Sequence, residues 1–509
     1  MPRSRIAAIL MCLTAAGAAQ PVLQPASGPA EEVPARRVSG YRGVWFGPGE
    51  PHPVLGYPFS GGLGTAPSGI RPTAVYDPVS NRTFFVYAGA PETSGDVPHP
   101  AGIMVAFFDH ARRTVPRPAM IAELENGDPR NGAALAVDEQ GHLWLFRAAH
   151  EGAGPAAVYR SVRPRDIEAF TRVAEGDFWY PQAWMLPGRG FLMVVTGTDQ
   201  DKPRLFVLAS QDGRTWSAPQ PVCSFGDGQY GISGVHKGKV GLAFTYLPPG
   251  AGGGMRTNLY YIETPDGGRT WQTIDRKPVA LPLDSAENPA LVRDYTALNR
   301  RVFLQDLLFD QAGAPAILYI LVHRNDILPR DRSRVWTTAR WAINEWEVTG
   351  VLRSDHDADA GCLTAERFIW RLFAPTDPGS RPRTAGGGMI RWTSDDMGRS
   401  WSPLELTPSA ERHHNYARHP LDARDDFYVF WADGDTGQPS ESHLYFADKA
   451  GNVYVLPADM GGPEAEPQQV LIAPPPETQP VDAPPPDTRP VGGSPTTGPQ
   501  ASAVGGVQQ

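Results

Sequence analysis

Four side chains are of types that can bind an anion or transfer a proton: Arg71, Arg130, His150 and Tyr180. Elimination next to a uronic acid needs a cation that neutralises the carboxylate, a base that removes the C5 proton and an acid that protonates the departing oxygen. Arginine suits the first role, and histidine and tyrosine suit the other two. Because arginine stays protonated, Arg130 can bind a carboxylate but cannot be the base.

The local sequence around these candidates predicts loops at strand ends. His150 follows the apolar run from His142 to Phe146, so we expect it in a strand-exit loop. The alternative is a loop histidine without a function. Tyr180 stands next to Trp179, and its alternative role is packing with a satisfied hydroxyl. Each of the two arginines has the alternative of pairing with a structural carboxylate or carbonyl.

Three copies of a short pattern, the Asp box, predict the elements that position these residues. They span Ser210–Trp216, Thr264–Trp271 and Ser394–Trp401. Each contains a hydroxyl residue, an Asp that can cap its own turn, a Gly that can take positive φ, a basic residue, a second hydroxyl and a Trp. Repetition of such a hairpin in a chain of short strands predicts repeated four-stranded blades. We assign structural roles to the box residues Asp212, Trp216, Asp266, Trp271, Asp396 and Trp401.

The region from about Gly40 to Pro457 alternates short apolar or aromatic runs with Gly, Pro, Asp and Asn turns. This pattern predicts an all-β fold, and the repeated boxes make it a β-propeller spanning residues 39–460. Dividing the strand-rich region by a blade length of roughly 40 to 60 residues gives seven blades, with six or eight as alternatives.

The two ends of the chain have different compositions from the propeller. Residues 1–19 combine Arg3 and Arg5 with an apolar run and small residues, which predicts a secretory signal cleaved near Ala18 or Ala19 and a secreted or periplasmic protein. Residues 20–38 are expected to be a flexible lead-in. Residues 461–509 are rich in proline and lack aromatic residues, which predicts a disordered tail.

The net charge and cysteine content exclude several classes of protein. A formal charge of −9 over 509 residues argues against nucleic-acid binding, which needs a basic face. It leaves open a local cationic cleft for an anionic polysaccharide. No membrane span is expected, and we expect a monomer. Cys223 and Cys362 are expected to be unpaired and buried rather than to form a disulfide framework.

Two polar clusters raise the question of a metal. His413, His414 and His419 lack the spacing of a known zinc motif. The segment Ser354–Asp359 carries three aspartates that could hold a cation, but a polar loop is the simpler interpretation. The sequence therefore predicts no cofactor, with a structural or carboxylate-bridging metal as the alternative.

Several longer strings resemble the bacterial BNR repeat-containing family, whose members include seven-bladed propeller ulvan lyases. They run from about residue 40 to 457 and are Gly40–Trp45, Ser60–Thr65, Thr83–Tyr87, Tyr180–Gln182, Arg256–Tyr261 and Ser440–Phe446. The resemblance implies a propeller fold. It leaves the function open, because such propellers host lyases, hydrolases and non-catalytic binders.

The resemblance also implies site residues, although the sequence departs from it at three positions. It implies His150 and Tyr180 as catalytic residues and Arg71, Arg130, Asn131 and Arg256 as substrate-binding residues. It leads us to expect a histidine at the position of Arg130, a histidine before Arg71, and an arginine where this chain has Thr196–Thr198. Part of the polar set is therefore missing or rearranged.

These observations predict a secreted carbohydrate-active propeller. The leading hypothesis is a polysaccharide lyase-like enzyme, or a related glycosidase, acting on a uronate-containing anionic polysaccharide. The alternative is a glycan-binding propeller that has lost catalytic residues, so enzymatic activity itself is left open. A sialidase is disfavoured because its arginine triad and Tyr–Glu pair cannot be identified in this sequence.

Overall fold

The structure is a computed structural model. It describes residues 21–26, 32–45, 69–90, 101–124, 131–150, 154–251, 254–323, 334–354, 356, 358–377, 384–408, 412–435, 440–471 and 481–482. These residues form β-strands, turns and loops, and no α-helix occurs among them. The all-β prediction is confirmed.

The described strands form seven sheets of four or more strands. The first contains Arg36–Arg37, Gly43–Trp45, Ala74–Asp77, Arg82–Gly89, Gly102–Asp109, Ala119–Glu123 and Ser440–Ser442. The second contains Gln24–Pro25, Glu32–Pro34, Ala133–Val137, Leu143–Arg147, Ala156–Ser161 and Ala169–Gly176. The third contains Trp179–Leu186, Gly190–Asp199, Lys202–Ser210 and Gln220–Pro221.

The other four sheets follow in chain order. The fourth contains Gly228–His236, Lys239–Leu247, Thr257–Thr264, Trp271–Gln272, Pro278–Val279 and Leu291–Arg293. The fifth contains Arg300–Phe309, Pro315–His323, Val335–Ala342 and Glu345–Arg353. The sixth contains Cys362–Glu366, Ile369–Asp377, Gly388–Ser394, Ser400–Thr407 and Val481–Asp482. The seventh contains His413–Arg418, Val429–Gly434, Leu444–Ala447, Val453–Val455 and Gln468–Val470.

The sheets are arranged as a propeller. Each sheet contacts the next in chain order, and their innermost strands face a common axis. The ring closes where the N-terminal strand Gly43–Trp45 pairs with Ser440–Ser442 and packs against Val429–Gly434 of the seventh sheet. Large apolar side chains fill the spaces between neighbouring sheets. One such cluster joins Trp184 and Leu205 of the third sheet to Phe244 and Tyr260 of the fourth.

Polar side chains on the innermost strands bind the backbone of neighbouring blades. Gln182 of the third sheet accepts from the backbone N–H of Ser233, 2.5 Å away in the fourth. Asp306 of the fifth sheet accepts from the N–H of Leu363, 2.9 Å away in the sixth. Buried backbone groups near the axis thereby find partners that the sheet hydrogen bonds do not supply.

The three Asp boxes fold as their sequences predict. In the sixth sheet, Asp396 Oδ1 accepts from the N–H groups of Arg399 and Ser400, both 2.9 Å away. Gly398 has a φ of 91°, which a residue with a side chain rarely adopts. Trp401 is 2% exposed, and its indole N–H donates to the Gly398 carbonyl.

The outer edges of several sheets are covered by segments from the two ends of the chain. Gln24–Pro25 pairs with the edge strand of the second sheet, and Gln468–Val470 pairs with that of the seventh. Glu464–Ala465 pairs with Val115–Pro116. Residues 464–470 were expected to be disordered, and in the structure they form strands. An edge strand offers unpaired backbone groups, so pairing there does not require apolar side chains.

Two further predictions concern the cysteines and the membrane. Cys223 and Cys362 are both free and buried, as expected. Burial raises the pKa of each thiol, which keeps both protonated at neutral pH. Within the described part of the chain, no helix is long and apolar enough to cross a membrane. The predicted signal sequence at 1–19 lies outside the described residues.

Candidate active site

The candidate side chains that the structure describes lie near one end of the propeller. Arg256 directly precedes the third strand of the fourth sheet, and Tyr180 lies at the start of the first strand of the third. His150 follows the strand Leu143–Arg147, the second of the four consecutive strands of the second sheet. In an antiparallel sheet the starts of the first and third strands meet the end of the second, so these positions share one face. Arg130 lies outside the described residues.

Tyr180 and Arg256 line the same small cavity of about 100 Å³. Its lining comes from the third, fourth and fifth sheets and from the segment before the strand Ala74–Asp77: Gly69, Tyr180, Thr196, Tyr230, Gly231, Ile232, Thr245, Arg256 and Leu304. We call it the Tyr180 pocket. None of these lining residues is acidic, so the pocket is locally cationic in a chain of net charge −9.

The backbone at Tyr180 adopts a conformation that is unusual for a residue with a side chain. Its φ is 51°, and the strand pairing shifts register between Trp179 and Gln182. The next residue is fixed by Arg71, whose N–H donates to the Pro181 carbonyl at 3.0 Å. A left-handed tyrosine costs on the order of 1–3 kcal/mol, and such strain is concentrated at functional sites.

Close packing holds the ring of Tyr180 in place. A Cβ atom at Gly69 would lie 3.0 Å from Cδ1 of the tyrosine ring. Only a residue without a side chain fits there without displacement. The absence of a side chain at Gly69 therefore lets the ring of Tyr180 line the pocket.

The guanidinium of Arg256 is stacked between aromatic rings. Its Cζ lies 3.5 Å from the centre of the Tyr230 ring and 5.7 Å from that of Phe303. Its Nε is buried and has no hydrogen-bond partner among the described residues. Stacking uses the faces of the guanidinium and leaves the N–H groups at its edge for a ligand oxygen.

His150 lies beside the Tyr180 pocket and does not line it. His150 is 6% exposed, and its imidazole packs edge-on against Trp179, with ring centres 4.6 Å apart. Asn131 is completely buried and accepts from the His150 N–H at 2.6 Å. Asn131, which we had predicted to bind substrate, therefore sits where it positions the backbone of His150.

Arg71 faces a different cavity from Tyr180 and Arg256. Its Nη2 is 2.5 Å from Oδ1 of Asp306, and it lines the channel along the propeller axis. The structure thus brings together Tyr180 and Arg256 and places His150 next to them across Trp179. It directs the Arg71 side chain elsewhere.

Sequence reasoning missed the residues that complete the pocket. Tyr230 supplies the ring under Arg256, and Thr196 and Thr245 are part of the lining. Each lies inside a strand, without any local motif. The sequence could have indicated Tyr230 in one way only. It lies near the start of an innermost strand, as Tyr180 does.

The cluster of His413, His414 and His419 packs as part of the fold. Trp431 Nε1 donates to Nδ1 of His414 at 3.2 Å, and burial lowers the pKa of His414 to about 4. Nδ1 of His419 lies 2.7 Å from the carbonyl of Tyr428. In the described ranges, no group of three or more His, Cys, Asp or Glu side chains is arranged to hold a metal ion. Asp355 and Asp357 lie outside those ranges.

The sequence pattern of a known family covers the middle of the chain. Residues 105–353 match the model described as BNR repeat-containing family member. Over these residues the chain is similar to BNR repeat-containing proteins. The resemblance seen in the sequence is thereby confirmed, and the match includes the strands of the second to fifth sheets from Ala133 to Arg353 and two of the three Asp boxes. A search of curated proteins gave no match.

Solved structures confirm the propeller fold. A PL25 ulvan lyase superposes with a TM-score of 0.63 at 16% identity, covering 81% of this chain and 96% of that one. The same kind of enzyme bound to -[GlcA(1-4)Rha3S]- gives a TM-score of 0.62. The polysaccharide lyase Uly1 gives 0.54 at 11% identity, covering 82% and 99% of the two chains. Identities this low establish the shared fold.

Proposed function

We propose that this protein cleaves a uronate-containing anionic polysaccharide by β-elimination at the Tyr180 pocket. The observation that carries the proposal is the convergence of Tyr180 and Arg256 in one acid-free cavity beside His150. The cavity holds a fixed cation for a sugar carboxylate and a hydroxyl for proton transfer. Its strained tyrosine is consistent with a functional role.

The reaction divides among these residues as follows. Arg256 binds the uronate carboxylate, which acidifies the proton at C5. A base, His150 or Tyr180, removes that proton, and the electron pair forms the C4–C5 double bond. The C4–O bond breaks, and the other residue of the pair protonates the departing oxygen. Arg130 is the second candidate for binding the carboxylate.

The structural neighbours support the substrate class. The PL25 ulvan lyase was solved with -[GlcA(1-4)Rha3S]-, in which a glucuronate is joined through its C1 to O4 of the Rha3S unit. Its glucuronate has the carboxylate that Arg256 would bind, and elimination would need the preceding sugar to be attached at O4 of that glucuronate. We therefore propose an anionic polysaccharide of this kind as the partner.

The test is an assay of the purified protein on a panel of uronate polymers. We expect an ultraviolet absorbance from the C4–C5 double bond together with new reducing ends. Chitosan, a cationic polymer without uronate, is the control and should give neither. If every uronate polymer gives neither signal, the enzymatic proposal is wrong. Reducing ends without the absorbance would instead indicate a glycosidase.

A second candidate is a glycan-binding propeller without catalysis. It is favoured by the volume of the Tyr180 pocket, about 100 Å³, and by the separation of His150 from its lining. In that case uronate oligosaccharides bind with no turnover, and binding survives both His150→Ala and Tyr180→Phe. Turnover by the unmodified protein would rule it out.

Several further predictions belong to this proposal. We interpret each of the seven sheets as one blade, with six or eight blades as the alternatives. We propose that residues 1–19 direct export and that the protein works outside the cytoplasm as a monomer. Mass determination of the mature protein from an expressing bacterium would test cleavage near Ala18 or Ala19.

A further inference from the structure

A second and larger cavity lies on the propeller axis. Its volume is about 490 Å³, within the range of small-molecule sites. Residues from six of the seven sheets, or from the segments beside them, line it, and it shares none of its lining with the Tyr180 pocket. We call it the axial cavity.

Apart from Arg418, three side chains that line the axial cavity each carry a buried polar atom without a hydrogen-bond partner among the described residues. These atoms are Nη1 of Arg71, Oγ1 of Thr73 and Oε1 of Gln305. Thr73 and Gln305 are only 3% and 6% exposed. A buried polar atom without a partner costs about 1–3 kcal/mol, so side-chain rotations that turned these atoms toward a polar ligand in the cavity would recover that cost.

The three atoms differ in what they can bind. Nη1 of Arg71 is a charged donor, Oε1 of Gln305 is an acceptor, and the hydroxyl of Thr73 is both. Their complement is a molecule with a carboxylate for the arginine and hydroxyl groups for the other two.

The charges of the axial cavity also favour an anion. Asp306 already accepts from Nη2 of Arg71 and from the N–H groups of Leu307 and Leu363. Its hydrogen-bonding capacity is largely used inside the protein, so it competes little for Nη1. A second guanidinium, Arg418, lines the same cavity and is 8% exposed. Burial lowers the pKa of Arg418 to about 10, so it stays protonated at neutral pH.

Apolar side chains form the rest of the wall. Trp184, Leu307 and Phe309 line the cavity, and the Arg71 guanidinium lies 6.0 Å from the Trp184 ring centre. A carbon chain or sugar ring can pack on this wall while its oxygens meet the polar atoms.

We propose that the axial cavity binds a small hydroxylated carboxylic acid, with its carboxylate on Arg71 and its hydroxyls on Thr73 and Gln305. The site is separate from the Tyr180 pocket and does not depend on the proposed lyase activity. A hexonate or hexuronate has the required combination of one negative charge and several hydroxyls.

The test is calorimetric titration of the full-length mature protein with sodium D-gluconate and sodium D-glucuronate. D-Glucose tests the need for the carboxylate, and sodium acetate tests the need for the hydroxyls. We expect at least one of the two acids to bind at micromolar to millimolar concentration and both controls to bind at least tenfold more weakly. Absence of binding by both acids would mean that the cavity holds ordered water only, and the proposal would be wrong.

Matched variants locate the binding. Thr73→Val keeps the shape of the side chain and removes its hydroxyl, whereas Thr73→Ser keeps the hydroxyl. We expect Thr73→Val and Gln305→Leu each to weaken binding about tenfold or more and Thr73→Ser to retain it. Tyr180→Phe should leave gluconate binding unchanged. Equal binding by Thr73→Val and Thr73→Ser, or loss of binding in Tyr180→Phe, would overturn the assignment.

Discussion

The Asp-box hairpins and the Tyr180 pocket lie at opposite ends of the same strands. In the fourth sheet, Arg256 directly precedes the strand Thr257–Thr264, and Thr264 opens the second box at its other end. Eight residues of strand span about 26 Å. One end carries the repeated motif that identified the fold, and the other carries the side chains with chemistry.

The two ends are built from interactions of different range. Asp396 binds N–H groups three and four residues further along the chain, so the whole box is encoded in one short segment. Tyr180 and Arg256 meet only because two blades pack side by side. Local interactions leave a repeated pattern in the sequence, whereas a site assembled across blades leaves isolated residues.

The two ends also differ in their electrostatics. Each box surrounds a carboxylate with hydrogen-bond donors, which lowers the pKa of Asp212, Asp266 and Asp396 even though burial opposes this. The Tyr180 pocket instead holds a cation on an aromatic ring, with no acidic residue in its lining. The hydrogen bonds of each box stabilise its Asp carboxylate, whereas the guanidinium of Arg256 in the pocket remains available to a ligand. Mutations at the two ends should therefore affect different properties.

The largest effect is expected for Tyr180→Phe. Removing the hydroxyl removes a proton-transfer group and should lower kcat/KM on the best uronate polymer about 10²- to 10⁴-fold. The ring and its packing against Gly69 remain, so the variant should fold, and urea unfolding measures what the hydroxyl contributes to stability. Tyr230→Phe, in the same pocket, is the control and should have a much smaller effect. Full activity in Tyr180→Phe would remove Tyr180 from the reaction.

The next effect is expected for Trp401→Ala in the third box. Trp401 is almost completely buried between blades, and its loss should lower the free energy of unfolding by about 3–5 kcal/mol. Activity per folded molecule should stay the same, because the pocket lies on other blades. Urea unfolding followed by circular dichroism measures the first quantity. The partly exposed Trp341, changed to alanine, should cost clearly less.

If Trp401→Ala instead reduced activity with an unchanged unfolding curve, the separation between scaffold and site would be wrong.

A smaller effect is expected for Arg256→Lys. A lysine keeps the charge but cannot stack its head group on Tyr230 or offer two N–H groups in a plane. We expect about tenfold weaker binding of a uronate oligosaccharide, corresponding to roughly 1.4 kcal/mol. Arg269→Lys, in the exposed box at the other end of the same strand, is the matched control and should bind normally. Equal affinity of both variants would exclude Arg256 from the binding site.

The same difference in range explains what could be predicted from sequence. The Asp boxes and the alternating strands predicted an all-β propeller because their signals are local. Tyr180 and Arg256 were found through longer strings that resemble a family, and the ring of Tyr230 under Arg256 had no such signal. Substrate binding by Asn131 stays a prediction, and the sequence could not show that this residue is completely buried against the backbone of His150. The strands at 464–470 were missed because they pair through backbone groups.

The smallest effect is expected for Asp396→Asn, which removes the charge of the third box and keeps its hydrogen-bond acceptor. Burial alone would raise the pKa of Asp396, but hydrogen bonds from Ser400, Ser394 and Arg399 lower it to about 2. A carboxyl whose pKa is lower in the folded state stabilises the fold above its unfolded pKa of about 3.9, and this contribution is lost as the pH falls toward 2. Asp396→Asn keeps an oxygen acceptor for the two backbone N–H groups and cannot titrate. It should therefore lose less stability than the unmodified protein between pH 5 and pH 2.

Asp396→Ala removes the acceptor as well and should cost about 1 kcal/mol at neutral pH, as loss of a capping residue does. The exposed neighbour Asp395, changed to asparagine, is the control and should leave the acid dependence unchanged. Urea unfolding at pH 7 and pH 3 measures each variant. If Asp396→Asn were as acid-sensitive as the unmodified protein, the box would contribute through its shape alone.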